Sequence, residues 1–190
     1  MVNRYRTIDL SLFMVILAVF ETVIVLAAVR WFSREAWTVT AVSAITAIVM
    51  VRWKGYAAIQ AIAGAMALCI GLGANPKRWV IYCVGNLFFA VAFFFLKLAG
   101  EKRIRENSAW TILFGAFTLL MMQTGRAAVA MIFGGSLREA VAFYATDSLS
   151  YVFTTVILWI AKRLDGIFED QKTYLARLHE QMEAEKEEIQ

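Results

Sequence analysis

Two opposite charges stand inside the apolar body of this chain: Arg126 and Asp147, on neighbouring hydrophobic stretches. A charge within a membrane span is costly, so it pairs, faces a cavity, or both, and it marks a functional site by default. A guanidinium offers a planar fork of donors and a carboxylate offers two acceptor oxygens. Together they suit a zwitterionic or amide-bearing ligand. Other polar residues share their depth. Counting ~1.5 Å per residue from the outer ends of the apolar stretches places Glu21, Asn86, Gln123, Arg126 and Asp147 all roughly 10–15 Å below one surface.

Helical phase groups these residues further. Tyr144, Asp147, Ser148, Tyr151, Thr154 and Thr155 recur at one-turn spacing and form a polar stripe. Trp79, Tyr82, Asn86, Phe89 and Phe93 share one face, and Gln123 and Arg126 lie one turn apart. Three helices with polar or aromatic faces at one depth describe a small-molecule pocket with aromatic walls and a few convergent polar groups. The ligand-binding candidates are therefore Arg126, Asp147, Asn86, Gln123, Glu21, Tyr82, Tyr144 and Tyr151. The competing reading is structural: Arg126 and Asp147 neutralise each other, while Asn86 and Gln123 act as interhelical glue.

Several chemistries find no residues to carry them. The sole histidine, His179, stands in the polar C-terminal stretch, so no His/Cys metal site is expected in the membrane. No P-loop and no G-x-G-x-x-G occurs, and no Ser/His pair is placed for acyl transfer. The expectation is a non-enzyme with no cofactor and no nucleic-acid partner. Paired discontinuous helices, common in secondary transporters, are not evident. If the protein moves a solute, a partner must supply the energy.

The elements that position these residues follow from composition. The chain has 190 residues, 61% of them apolar, and a mean hydropathy of +0.63. Soluble domains average about 45–50% apolar. The fold class is an all-α polytopic membrane protein. A crossing helix needs about 20 apolar residues, and six stretches approach this: 8–31, 37–52, 55–73, 79–97, 109–133 and 139–162. Residues 1–163 form this six-helix domain, and 164–190 form a cytoplasmic amphipathic helix. The run from Ile8 to Val29 is too long for a signal-peptide core and is read as a retained span. The second stretch is short and carries Thr38, Thr40, Ser43 and Thr46, which suits a helix that leans on its neighbours. Trp31, Trp37, Trp53, Trp79, Trp110 and Trp159 fall near helix ends, as an interfacial aromatic belt does. Cys69 and Cys83 read as two buried thiols.

Loop charges set the expected orientation. With the N-terminus cytoplasmic, the inner side holds Arg4, Arg6, Arg52, Lys54, Lys97, Lys102, Arg103, Arg105, Lys162 and Arg163. The outer side holds Arg30, Arg34, Lys77, Arg78 and Arg138. Ten against five places both termini in the cytoplasm, with the protein in the cytoplasmic membrane. In the third stretch, Ala57, Ala61, Gly64, Ala65 and Gly71 let helices approach closely. They serve either internal packing or a groove for a partner subunit. After Leu164, the residues Phe168, Leu175, Leu178, Met182 and Ile189 follow an approximate heptad interrupted by Gln171 and Glu185. That helix would continue the sixth span, with a frayed end over 183–190.

Six short helices, both termini inside and a pocket in the outer half resemble the S component of an energy-coupling factor (ECF) transporter. The stretches Arg52-Trp53-Lys54-Gly55-Tyr56-Ala57-Ala58, Tyr82-Cys83-Val84-Gly85-Asn86-Leu87, Gln123-Thr124-Gly125-Arg126 and Thr146-Asp147-Ser148-Leu149-Ser150 are similar to segments of S components of unassigned substrate. The resemblance covers about residues 7–165. It implies capture of a vitamin or other small metabolite, and association with a transmembrane coupling subunit and cytoplasmic ATPases. It also implies toppling in the membrane to release cargo. The family's Ala-x-x-x-Ala patch on the first helix has only Ala18 and Thr22 as a counterpart, and Ala57, Ala61 and Ala65 are the alternative small stripe. The Met1-Val2-Asn3 start lacks the histidine of metal-transporting members. A rival from another class is a membrane scaffold that holds a cytoplasmic partner through 164–190. A third is a subunit of a larger membrane complex.

Overall fold

The computed structural model describes residues 2–32 and 38–188; Trp37, Arg34 and Ile189, invoked above, lie outside them. The described residues form ten α-helices: α1 Val2–Trp31, α2 Val42–Trp53, α3 Ala57–Gly71, α4 Pro76–Asn86, α5 Ala90–Ala99, α6 Glu101–Glu106, α7 Ser108–Ile132, α8 Leu137–Thr146, α9 Ser148–Arg163 and α10 Gln171–Glu188. By length and composition, five stretches can cross a membrane: Arg4–Trp31, Val42–Gly71, Pro76–Ala99, Ser108–Ile132 and Leu137–Arg163. This is a multi-pass, all-helical membrane protein.

The stretch Val42–Gly71 folds back on itself. Gly64, midway along α3, packs against Val42 at the start of α2 and against Leu17 of α1, so closely that an added Cβ would stand 2.4 Å from Val42 Cγ2. In one straight helix those positions would lie ~33 Å apart. The reversal is made at Lys54, which takes φ 55° and leads into a 3₁₀ turn, Lys54–Tyr56. Every residue of α2 is buried. This short helix is the axis of the bundle, packed by α1, α3, α7 and α9. Its surroundings explain why its sequence shows no amphipathic face: a helix enclosed on all sides needs none. The Ala57, Ala61 and Ala65 stripe is fully buried, so these residues serve internal packing. The exposed small pair is Ala18 and Thr22 on α1.

Three interruptions lie in the transmembrane body. The chain is non-helical over 38–40, just ahead of α2. A 3₁₀ turn, Leu87–Phe89, separates α4 from α5. At Asp147, with φ −89° and ψ 12°, the helix breaks into α8 and α9. Discontinuous helices, not evident from sequence, are thus a feature of the fold. Non-helical backbone at membrane depth persists only where protein or a water-filled cavity satisfies its polar groups. Here protein does so: Thr38 N donates to the freed Thr146 carbonyl at 2.9 Å, and Thr40 N donates to Ser150 Oγ at 3.1 Å.

Loop ends are conventionally capped. Asn75 accepts from Arg78 N with Pro76 opening α4, and Ser136 and Glu139 form a reciprocal capping box on α8. At the end bearing the termini, the chain leaves α9 at Leu164 and is not helical again until Gln171. The tail therefore does not continue the last span. Its connecting strap is tied to the bundle. Phe168 is buried, Arg52 donates through Nη1 to the carbonyls of Gly166 and Ile167, and Glu169 pairs with Arg105 and Arg177. Phe168 is thus an anchor under the bundle and not a heptad position. Of the other apolar heptad residues, Leu178 and Met182 are exposed on α10.

Candidate functional site

The site forms where the three interruptions meet. Gly85 of α4 and Gly125 of α7 cross in backbone contact: an added Cβ on Gly125 would stand 2.2 Å from the Gly85 carbonyl oxygen. Only residues without side chains permit so close a crossing. The next residue on each helix is thereby fixed against the other. Arg126 Nε donates to Asn86 Oδ1 at 2.8 Å. Asn86 is held in turn by donating through Nδ2 to the Ala61 carbonyl at 3.0 Å. The other arm of Arg126, Nη1, donates to Asp147 Oδ2 at 2.6 Å. Asp147 Oδ1 accepts a hydrogen bond from the Thr38 hydroxyl. The Tyr82 ring faces the guanidinium at 4.9 Å, within cation–π range. Arg126 is 1% exposed and Asp147 5%, so this is a sealed ion pair with its second partners in place.

Glu21 completes the centre from α1. Its Oε1 accepts from the Thr40 hydroxyl at 2.6 Å, from Ala41 N at 2.6 Å and from Val42 N at 3.2 Å. It is the N-terminal cap of α2, delivered from another helix because Ala41, in the local capping position, has no side chain to do so. A carboxylate there also complements the positive end of the helix dipole. Glu21 makes no direct bond to Arg126 but lies within range of its charge.

Not all proposed members converge. Tyr151 donates to Gln123 Oε1 at 2.7 Å, and Tyr144 donates to Thr124 Oγ1 at 3.0 Å. Both bonds tie the broken helix to α7, beside the Arg126 cluster and not in it. The buried face of this helix runs through Ala140, Asp147, Ser150, Thr154 and Leu158. Ser148 is exposed, whereas Ser150 and Thr154 are buried and bond to Thr40 N and Ser43 Oγ respectively. Thr38, Thr40, Ser43 and Ser150 are therefore site neighbours that the stripe did not include. Their signal was the hydroxyl-rich start of the second apolar stretch.

Three buried polar atoms in or beside the cluster have no partner among the described residues: Arg126 Nη2, Glu21 Oε2 and, next to it, Gln123 Nε2. Their side chains are 0–1% exposed. Buried polar atoms are seldom left unpaired, and each exception asks for an explanation such as a water or a bound group. Above the cluster, towards the end opposite the termini, a cleft of about 560 Å³ opens between α3, α4, α7 and α8. Thr38, Tyr82 and Thr146 line it together with Arg78, Glu139 and Phe143. Tyr82 and Thr38 thus have one side on the cleft and the other on the Arg126–Asp147 pair. Cys69 and Cys83 are free thiols. No family model, no curated protein and no solved structure matches this chain.

Proposed function

We propose that this protein is a membrane-embedded solute-binding subunit, similar to the S component of an ECF-type importer, that takes a vitamin or other small metabolite from outside the cytoplasmic membrane. The observation that carries this reading is the Arg126 fork. It is buried at a junction of three helix interruptions, with one arm on Asp147 and another nitrogen unpaired beneath an open cleft. Interrupted helices place backbone and side-chain dipoles at solute sites in many transporters. In this reading the α2–α3 hairpin supplies two crossing legs, which makes six spans, and both termini are cytoplasmic. The ligand bears a carboxylate or an amide for Arg126 Nη2 and an apolar or ring portion for Tyr82 and Phe143. A transmembrane coupling subunit and ATPases supply the driving energy.

The test is native mass spectrometry of gently solubilised protein. A retained small molecule is expected, lost in Arg126→Lys, which keeps a charge for Asp147 but deletes the second arm. Retention of the same molecule by Arg126→Lys and by Tyr82→Ala, with normal expression, refutes the reading. One observation favours the scaffold alternative: α10 projects with Leu178 and Met182 exposed. In that case the protein copurifies with a stoichiometric soluble partner, lost when residues after Leu164 are removed, and holds no small molecule.

A further inference from the structure

At the end bearing the termini, a second cleft of about 490 Å³ is walled by the first turns of α1, the Lys54–Tyr56 turn and the start of α10. Arg6, Arg52, Lys54 and Lys172 line it, with Trp53, Gly55 and Tyr56, and Asp170 is its only lining carboxylate. The four cations are not equally free. Arg52 is spent on Asp9, which it grips through Nε at 2.9 Å and Nη2 at 2.8 Å, and on two strap carbonyls. Lys54 is shared between Glu101 and Asp170. Arg6 and Lys172 have no carboxylate partner among the described residues; Arg6 instead lies over the Tyr56 ring at 4.3 Å. Four cations against three carboxylates leave one positive charge, which matches the single negative charge of a phosphodiester.

The surroundings decide the source of that phosphate. The cleft borders apolar surface: Tyr56 on its wall is 43% exposed, and one and about three turns further on, Ile59 and Met66 of α3 are 40% and 42% exposed. Tyr56 and Trp53 are the amphipathic rings found at headgroup level. A group seated between Arg6 and Lys172 would have lipid-facing helix surface directly beside it. Basic pockets at the membrane interface bind anionic headgroups. We infer that this cleft is a binding site for the phosphodiester of an anionic glycerophospholipid, with acyl chains running along the Ile59–Met66 surface of α3. Because Lys172 belongs to α10 and Arg6 to α1, the bound headgroup ties the tail helix to the first span.

The experiment uses the full chain in phosphatidylcholine nanodiscs doped with phosphatidylglycerol, read by native mass spectrometry after release into detergent. One phosphatidylglycerol per chain is expected to be retained in preference to phosphatidylcholine. Removing Arg6 and Lys172 together (Arg6→Gln, Lys172→Gln) should lower retention by about 25-fold, about fivefold for each charge. A second variant leaves every charge in place. Gly55→Trp fills the cleft, and the backbone accepts a side chain there because an added Cβ meets nothing within 4 Å. It should lose the lipid equally. Lys77→Gln, at the opposite end, should retain it. Equal retention of phosphatidylcholine, or undiminished retention by both cleft variants, overturns the proposal. Displacement of the lipid by inorganic phosphate alone assigns the cleft to a soluble phosphate and overturns the lipid assignment.

Discussion

Replacing Glu21 tests the trans-capping of α2. In Glu21→Ala, the Thr40 hydroxyl and Ala41 N lose the acceptor they have among the described residues. Val42 N keeps a bond to Thr40 Oγ1 at 3.2 Å. Two buried donors are left unpaired, each at about 1–3 kcal/mol, and the loss of a helix cap adds about 1 kcal/mol. The expected loss is about 3–7 kcal/mol. Glu21→Gln keeps an oxygen at Oε1 but removes the charge. Neutral hydrogen bonds are roughly half as strong as charge-assisted ones, so about 1–2 kcal/mol should be lost. The assay is reversible unfolding in mixed micelles, followed by far-ultraviolet circular dichroism, with amide exchange at Ala41 and Val42 as the local readout. Exchange at those two amides should rise first and most in the alanine variant. The reasoning fails if Glu21→Ala lies within about 1 kcal/mol of the parent, or if glutamine is as costly as alanine.

Two further predictions concern the charged centre and its support. Removing one partner of a buried ion pair is expected to destabilise by about 3–5 kcal/mol, so Arg126→Met and Asp147→Asn should each be severe. The double variant should cost less than their sum, and additivity within about 0.5 kcal/mol would show that the pair is not coupled. Gly125→Ala places a methyl 2.2 Å from the Gly85 carbonyl oxygen; α4 and α7 must separate. It should lower thermal stability in detergent more than Gly134→Ala, where an added Cβ meets nothing within 4 Å but φ is +74°.

The charged pair was legible in the sequence because helix periodicity and bilayer depth are both regular. Arg126, Asp147 and Asn86 could be placed at one level by counting turns, and their side chains do meet. Glu21 could be given a depth but not a task, since its partners are backbone amides on the far side of a loop. The break at Asp147 was not legible. Tyr144-Ala145-Thr146-Asp147-Ser148 contains no glycine or proline. The helix opens there because Thr38 takes both the Thr146 carbonyl and the Asp147 carboxylate. That is a tertiary contact across more than a hundred residues; the buried hydroxyl beside it is Ser150 and not Ser148, which lies about 100° round the helix from Asp147. The folding of Val42–Gly71 into a hairpin had a local signal in Arg52-Trp53-Lys54-Gly55. The complete enclosure of α2 had only its shortness and its hydroxyls.

The separation of the buried charges along the chain bears on how the protein is made. Glu21 meets its amide and hydroxyl donors 19 to 21 residues later, and Arg126 meets Asp147 21 residues later. Each acid or base must therefore enter the bilayer before its partner or together with it. The first span can bear this alone, because its best 18-residue window has a mean hydropathy of 2.8. The windows of Ser108–Ile132 and Leu137–Arg163 reach only 1.4 and 1.3. A lone charge at a helix centre costs about 2.5–3.5 kcal/mol during insertion, a large fraction of what those weaker spans gain. On this arithmetic the last two spans are expected to insert as one hairpin joined by Arg126 and Asp147, whereas the first span can enter before α2 supplies the partners of Glu21.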